Sequence, residues 1–191
     1  MNEGLDIDAL MRQVRSRENL TRAGEEAIAI IKARTLKGVF LEGSSPGAER
    51  YSTTPMPLPY SVWTKATQGK VSAIIRKGDE GIRIFTNRKS RLTWVLLEGG
   101  YKRFRELAGK ESDPVTLNWS GAMMKAIQIL SVDEAEGSVT VGFTDYRSGE
   151  IAGFHHKGAG RGRKKRIFFE LSQAEQDTVK QSALGPVQLQ F

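Results

Sequence analysis

The stretch that constrains this chain most runs from Phe154 to Ser172 and reads FHHKGAGRGRKKRIFFELS. Between Lys157 and Arg166 it holds six cations and no acid, so most of the net charge of +7 is concentrated there. Glycines at alternate positions oppose a stable helix, because glycine loses the most backbone entropy on folding. The apolar run Ile167–Phe169 predicts an anchor in the folded body. We therefore predict a mobile basic arm over residues 157–166 that is held at both ends.

The basic arm is the candidate binding element of the chain. Dense positive charge without interleaved aromatic residues suits an acidic surface better than a stack of bases. Two hypotheses stay open: contact with nucleic-acid phosphates without base recognition, and contact with carboxylates of a partner subunit, which we favour. The predicted contact residues are Lys157, Arg161, Arg163, Lys164, Lys165 and Arg166.

Length and composition describe an ordinary globular chain. The 191 residues suffice for one domain with a real core, and 39% hydrophobic with 27% charged residues fit a water-exposed fold. No apolar run approaches the roughly 20 residues that span a bilayer, so no membrane association is expected, and no secretory signal is visible. The absence of cysteine excludes disulfides, thiolate metal sites and cysteine nucleophiles.

Residues 1–38 are predicted as an N-terminal helical segment. Apolar residues recur at helical spacing on both sides of a break near Ser16–Asn19, which favours one kinked helix or two in succession. Gly38 is placed where a C′ glycine ends a helix. Gly24 costs a helix about 1 kcal/mol relative to alanine, so it indicates close packing against a neighbour, unless the helix begins after it.

The next part of the chain is predicted to change from loop to sheet. Residues 43–59 are rich in Gly, Ser, Thr and Pro, which predicts a long loop that contacts another subunit or stays mobile. Residues 60–99 are predicted as an inserted β region, and Val39–Leu41 as a short strand. The β-favouring runs of that region are Lys70–Ile75, Gly81–Thr86 and Leu92–Leu97.

Short helices and a hairpin are predicted between this region and the basic arm. One helix is expected from Tyr101 to a stop at Gly109, and Ser120 is expected to cap a helical turn. Strands Ile127–Val132 and Ser138–Phe143 are predicted to pair through an acidic turn, with Ile127, Ile129 and Ser131 on the core face of the first. A brief helix is expected at Ile151–His155.

The C-terminal part is predicted as a helix followed by a strand-like tail. Ser172 and Glu175 have the spacing of a capping box, which predicts a helix through about Leu184. In the tail, residues 185–191, the segment Val187–Phe191 alternates apolar residues with glutamine and has no partner strand of its own, so it is a candidate for pairing with a neighbouring chain.

No constellation of catalytic or metal-binding residues is found. His155 and His156 are adjacent, so in a helix they point about 100° apart and do not suit one metal ion. The glycines of the basic arm lack the Gly-Lys-Ser/Thr ending of a phosphate loop, and no Gly-x-Ser-x-Gly elbow is present. We expect a protein that is not an enzyme and needs no cofactor or metal.

Several short motifs, taken in order, resemble one protein family. The motifs are Arg34–Gly38, Tyr60-Ser61 with Trp63 and Lys65, Gly100–Arg105 with Gly109, Leu117 with Ser120–Met123, Val141–Phe143, Ile151–Gly158 and Arg166–Ser172. Together they are similar to the tail-completion (virion morphogenesis, neck) proteins of tailed bacteriophages and prophages, from about Ala23 to Val179.

This resemblance implies a structural role. It implies a single α+β domain with an N-terminal helical segment, a mostly antiparallel sheet carrying short helices, a C-terminal helix and an extended tail. It also implies a homo-oligomeric ring, usually hexameric, in the virion neck between the head connector and the tail tube, assembled in the host cytoplasm. A lumen-facing basic arm would contact DNA without base reading. Our alternative is a small basic nucleic-acid-binding module. The residues expected to shape the family fold are Arg34, Gly38, Tyr60, Tyr101, Arg105, Ser120, Gly121, Met123, His155, Gly158 and Phe169.

Overall fold

Helix α1 spans Arg17–Leu36 and has a hydrogen-bonded cap at each end. At its start, the Ser16 hydroxyl accepts a hydrogen bond from the Asn19 N–H at 3.3 Å, so the break expected there is the N-cap. At its end, Gly38 has a φ of 71°, and its N–H and that of the next residue donate to two carbonyls of the last turn. This Schellman motif confirms the predicted stop.

The computed structural model describes residues 15–76, 81–118, 120–158 and 164–184. Both sheets of this described part are antiparallel, which confirms the α+β class. The N-terminal residues before Arg15, residues 159–163 of the basic arm and the tail lie outside it. After α1 come β1 (Met56–Pro59), a 3₁₀ turn (Tyr60–Val62), α2 (Lys65–Arg76), β2 (Ile82–Thr86), β3 (Thr93–Leu97), α3 (Gly100–Leu107), α4 (Ala122–Lys125), β4 (Ile127–Asp133), β5 (Ser138–Phe143), α5 (Tyr146–Lys157) and α6 (Gln173–Leu184).

The chain divides into two compact units, where the sequence predicted one domain. The first unit joins the residues up to Ala48 with those from Leu117 onward. The second unit comprises Glu49–Thr116 and includes the whole predicted insertion, 60–99. It is longer than that insertion because β1 begins before it and α3 follows it.

In the first unit, α1 packs on the β4–β5 hairpin and on α6. A Cβ atom added at Gly24 would lie 2.8 Å from Ile129 and 2.9 Å from Val139. The close packing predicted for Gly24 is therefore confirmed, and the helix begins well before it. The residues of this core are Ile31, Met123, Met124, Ile127, Ala152 and Phe168.

The predicted hairpin forms, but its register changes at Leu130. Beyond this bulge Val132, rather than Ser131, lies opposite Val139. Ser131 is exposed, so its expected place on the core face is wrong. The physical reason is that one extra residue in a strand reverses the alternation of its side chains.

In the second unit, a three-stranded sheet in the order β1-β3-β2 carries α2 and α3 on one face. The strand predicted over Lys70–Ile75 is wrong, because these residues belong to α2. Their β-branched side chains favour a strand, but Val71 is fully buried and Ile74 packs beside it, at a spacing that a helix brings to one face. The core residues are Trp63, Val71, Ile82, Val95, Leu97 and Leu107.

Three further predictions, about a loop, a short strand and the start of a helix, differ from the structure. The loop prediction is wrong over Met56–Pro59, which pairs with β3 as β1. Val39–Leu41 is not a strand, although the Leu41 N–H donates to the Ile167 carbonyl at 2.9 Å. Helix α5 begins five residues earlier than Ile151 because Asp145 caps it, accepting from the Ser148 N–H at 2.8 Å. These hydrogen bonds also lower the pKa of the Asp145 carboxyl.

Candidate assembly interface

The C-terminal end of the basic arm is fixed to the segment 41–48 of the same unit. Ser45 and Lys165 form a reciprocal pair, in which the Ser45 N–H donates to the Lys165 carbonyl and the Lys165 N–H donates to the Ser45 hydroxyl, both at 2.8 Å. The Ser44 hydroxyl accepts from the Ile167 N–H at 2.9 Å. This segment of the predicted loop is therefore bound within its own chain.

Two of the six predicted contact residues use their charge inside the fold. Lys164 Nζ donates to the Gly47 carbonyl at 2.5 Å, and Arg166 Nε donates to the Ala48 carbonyl at 2.9 Å. Both side chains are half-buried. A cation that satisfies a backbone carbonyl stabilises that turn, and removing it leaves the carbonyl without its partner. Lys164 and Arg166 are therefore fold residues as well as cations.

The N-terminal end of the basic arm is fixed by the last turn of α5. The His155 carbonyl accepts hydrogen bonds from the N–H groups of Gly158, at 3.3 Å, and Arg166, at 2.9 Å. Gly158 ends the helix with a φ of 66°, and a Cβ there would lie 2.9 Å from the Lys165 backbone nitrogen. His155 and Gly158 thus bring the two ends of the arm together. Lys157 is exposed in this turn, and Arg161 and Arg163 lie outside the described residues.

Arg34 makes hydrogen bonds to several separate segments of the first unit. Its guanidinium donates to the carbonyls of Phe168 and Glu170, both at 2.7 Å, and to the Glu175 carboxylate. Only 9% of its side-chain surface is exposed. Arg34 therefore ties α1 to the residues that follow the basic arm and to the start of α6.

Glu175 also completes the predicted capping box of α6. Its carboxylate accepts from the Ser172 N–H at 2.7 Å, and its own N–H donates to the Ser172 hydroxyl at 3.3 Å. Partial burial works to raise the pKa of the Glu175 carboxyl, but the hydrogen bonds to Ser172 and the charge of Arg34 outweigh it. The pKa therefore lies below its ordinary value.

The other residues expected to shape the first unit have local roles. The Ser120 hydroxyl accepts from the Ala122 N–H at 3.4 Å, but the N-cap of α4 is Gly121, whose φ is 80°. Met123 is buried in the core. Phe169 is half-buried against Phe143, with ring centroids 4.7 Å apart, while its neighbour Phe168 is fully buried.

In the second unit, the predicted residues Tyr101 and Arg105 both contact the ring of Tyr51. Arg105 is 2% exposed, donates through Nε to the Glu111 carbonyl at 2.5 Å, and lies 4.5 Å above the ring of Tyr51. The Tyr101 ring packs on Tyr51 at 5.5 Å. Burial raises the pKa of the Tyr51 hydroxyl, against the lowering effect of the Arg105 charge. The Tyr60 hydroxyl lies 3.4 Å from the Ser72 hydroxyl.

The sheet of the second unit has one blocked edge and one open edge. In β1, the backbone N–H and C=O groups of Met56 and Leu58 point toward β3. The backbone nitrogens of Pro57 and Pro59 therefore point outward, where no hydrogen-bond donor is needed. Proline on an edge strand prevents further strand pairing. The β1 edge is therefore closed to another strand.

The other edge is β2, and no strand among the described residues pairs with its outer side. Hydrogen bonds of 2.9 Å join Glu98 to Gly81 and Asn87 to Leu92, on either side of the β2–β3 ladder. Because alternate residues pair in an antiparallel ladder, the even-numbered β2 residues direct their N–H and C=O groups away from β3. These residues are Ile82, Ile84 and Thr86.

The β2 edge also exposes large apolar side chains. Ile84 is 42% exposed on the helix-covered face of the sheet, and Phe85 is 45% exposed on the opposite face. Apolar side chains beside unpaired strand groups form a template for another strand. Sequence reasoning predicted the β2 strand but not this surface, because only the strand order places β2 at an edge.

The described residues were compared with the arrangement that a metal site requires. Within the described ranges no three His, Asp or Glu residues are grouped as metal ligands, and His156 is occupied by Glu170, with Nε2 2.9 Å from the carboxylate. Among the described helices, none is both long and apolar enough to cross a bilayer. Searches of family models, curated proteins and solved structures find no match to this chain.

Proposed function

We propose that this chain is a structural subunit of a tailed phage or prophage virion. It forms a homo-oligomeric ring, a hexamer by the family resemblance, in the neck between the head connector and the tail tube, after assembly in the host cytoplasm. The observation that carries this proposal is the open β2 edge with its exposed apolar side chains. The resemblance of the sequence motifs, in order from Arg34 to Phe169, supports the proposed family.

The open β2 edge supports assembly because it lacks the protection that edge strands of monomeric proteins usually have. Proteins that stay monomeric protect their edge strands with proline, charge or a covering element. This sheet has proline on β1 but leaves Ile84 and Phe85 exposed on β2. A ring of identical subunits needs two different complementary surfaces on each copy, and a strand edge is a ready acceptor surface.

The basic arm supports a second contact in the same assembly. Lys164 and Arg166 are engaged within the fold, which leaves Lys157, Arg161, Arg163 and Lys165 as the cations proposed to meet a partner or the DNA that passes through the lumen. Guanidinium and ammonium groups bind carboxylates and phosphates alike, so the same side chains serve either partner.

The first experiment measures mass in solution. Light scattering coupled to gel filtration, from low to high micromolar concentration, is expected to give a closed oligomer of the 21.2 kDa chain, visible as rings by negative-stain microscopy. A monomer throughout this range would overturn the proposed ring. Head and tail genes beside the gene for this chain would support the virion assignment, and their absence would count against it.

The second experiment separates assembly from nucleic-acid binding. Four substitutions to glutamine, at Lys157, Arg161, Arg163 and Lys165, remove the remaining cations while keeping Lys164 and Arg166. We expect unchanged melting and impaired joining of heads to tails in a complementation assay. A DNA shift assay across salt tests the alternative, because a monomer whose four cations all bind phosphate would show a salt slope of about −4.

A further inference from the structure

The β2 edge has the dimensions of one specific acceptor. It offers five residues, Ile82–Thr86, and three of them direct backbone groups outward. On the helix-covered face the apolar row of β2 begins buried and ends exposed, since Ile82 is 4% exposed and Ile84 is 42% exposed. A strand added here would cover Ile84 if its own apolar side chains lay on that face.

One segment outside the described residues has the matching sequence. Helix α6 ends at Leu184, and seven residues follow in the sequence. The five residues Val187–Phe191 alternate, with three apolar side chains of one parity and two glutamines of the other. Two residues, Gly185 and Pro186, separate α6 from this segment and span at most about 7 Å, so the proposal requires the end of α6 of one copy to lie beside β2 of the next.

We propose that Val187–Phe191 of one copy adds to β2 of the next copy as a fourth strand. This inference rests on the proposed ring. Val187, Leu189 and Phe191 extend the face formed by Ile82 and Ile84, and the glutamines lie beside Arg83 and Phe85 on the other face. Donor and acceptor are different surfaces of the same chain, so each contact is head-to-tail, and repetition of one such contact forms a ring when the rotation between copies closes.

The first test separates donor from acceptor. One variant lacks residues 187–191, and the other carries Ile84→Pro, which removes an outward N–H while leaving the β2–β3 hydrogen bonds in place. Both are expected to shift the oligomer to monomer in light scattering, with melting temperatures close to that of the parent. The matched control, Gln188→Ser with Gln190→Ser, keeps the apolar alternation and is expected to keep the oligomer.

The second test maps the contact by disulfide cross-linking. Because the chain has no cysteine, only the introduced cysteines can form disulfides. One preparation carries Ile84→Cys and the other Leu189→Cys, the central residues of the two segments. After mixing and oxidation, a band at twice the 21.2 kDa chain mass is expected, and it disappears on reduction. A preparation with Arg50→Cys in place of Ile84→Cys controls for collision, because Arg50 is 80% exposed and lies outside the sheet.

Each other outcome overturns the inference in a distinct way. A truncated chain that still forms the oligomer excludes the tail as donor but leaves the proposed ring intact. An Ile84→Pro monomer beside an oligomeric truncated chain would mean that β2 pairs with another element, such as β2 of a second copy. A further chain that carries both Ile84→Cys and Leu189→Cys tests for pairing within one subunit. If this chain cross-links only within itself, and the mixed single-cysteine preparations do not cross-link, the tail lies on its own subunit. An unsubstituted chain that is monomeric overturns the proposed function itself.

Discussion

The two units of this chain hold their structures together by different means. In the first unit, polar side chains bond distant backbone: Arg34 bonds the residues after the basic arm, and Ser45 pairs with Lys165. In the second unit, aromatic rings pack around buried Arg105, and Trp63 contacts Phe104 edge-on at 4.9 Å. In the first unit, Arg34, Lys164 and Arg166 bond the backbone of distant segments, whereas in the second unit the edge strand β2 leaves Ile84 and Phe85 exposed.

This difference between the two units indicates which surfaces are candidates for binding a partner. Charge density in the sequence points to the basic arm, but part of that charge satisfies carbonyls of the same unit. The sheet of the second unit carries little distinctive charge, and its open edge follows only from strand order. Assembly through this protein is therefore proposed to depend on the second unit at least as much as on the basic arm.

The largest expected effect is the loss of the Phe168 ring from the first unit. Phe168 is fully buried, so Phe168→Ala is expected to lower the free energy of unfolding by about 3 to 5 kcal/mol. Phe169→Ala removes a half-buried ring and is expected to cost clearly less. Urea denaturation of both variants checks the order, and equal losses would mean that the two rings are equally important to the core.

In the second unit, the largest loss of stability is expected from a substitution at Gly100, which has a φ of 59°. A Cβ there would lie 2.4 Å from the Thr54 carbonyl oxygen, which is backbone and has little freedom to move away. Gly100→Ala is expected to cost about 2 to 4 kcal/mol. Gly109, with a φ of 68° and open space around it, is the matched control, and Gly109→Ala is expected to cost about 1 kcal/mol. Thermal melting of the pair separates the clash from the backbone strain.

A smaller effect, specific to the first unit, depends on pH. Glu175→Gln keeps a capping side chain but removes the charge that faces Arg34, and it is expected to cost about 1 kcal/mol at neutral pH. Because the folded-state pKa of Glu175 is lowered, this contribution is complete above the ordinary carboxyl pKa and is lost as pH falls through the lower folded value. Denaturation curves of parent and variant should converge with acidification. A difference that stayed constant would show that the charge is not its source.

The smallest expected effect on stability is at the β2 edge. Ile84→Lys places a charge on an exposed edge strand, so the free energy of unfolding of the monomer is expected to change by less than about 0.5 kcal/mol. The same change is expected to abolish the oligomer. Stability is measured by denaturation and assembly by light scattering, with Arg88→Ala in the β2–β3 turn as an exposed control. An oligomer that survives Ile84→Lys would remove the edge from the interface.

Local sequence patterns predicted much of the fold correctly. The capping box at Ser172, the helix stop at Gly38, the β4–β5 hairpin and the close packing at Gly24 all follow from local chemistry, and all are confirmed. The strand predicted over Lys70–Ile75 is wrong because β propensity is weak compared with burial of Val71 against its own unit. Virion identity, ring formation and the role of the basic arm stay predictions.

From its residues alone, this chain is determined to be α+β and strongly basic in one stretch, without the cysteine and residue motifs on which many enzymes depend. Helix caps, turns and alternation act over a few residues, so their physics is visible in the sequence. Only the tertiary structure decided that Lys164 and Arg166 bond carbonyls more than a hundred residues away and that β2 lies at a sheet edge. Those outcomes depend on which distant segments come together, and the free energy of that choice comes from burial shared across the whole unit.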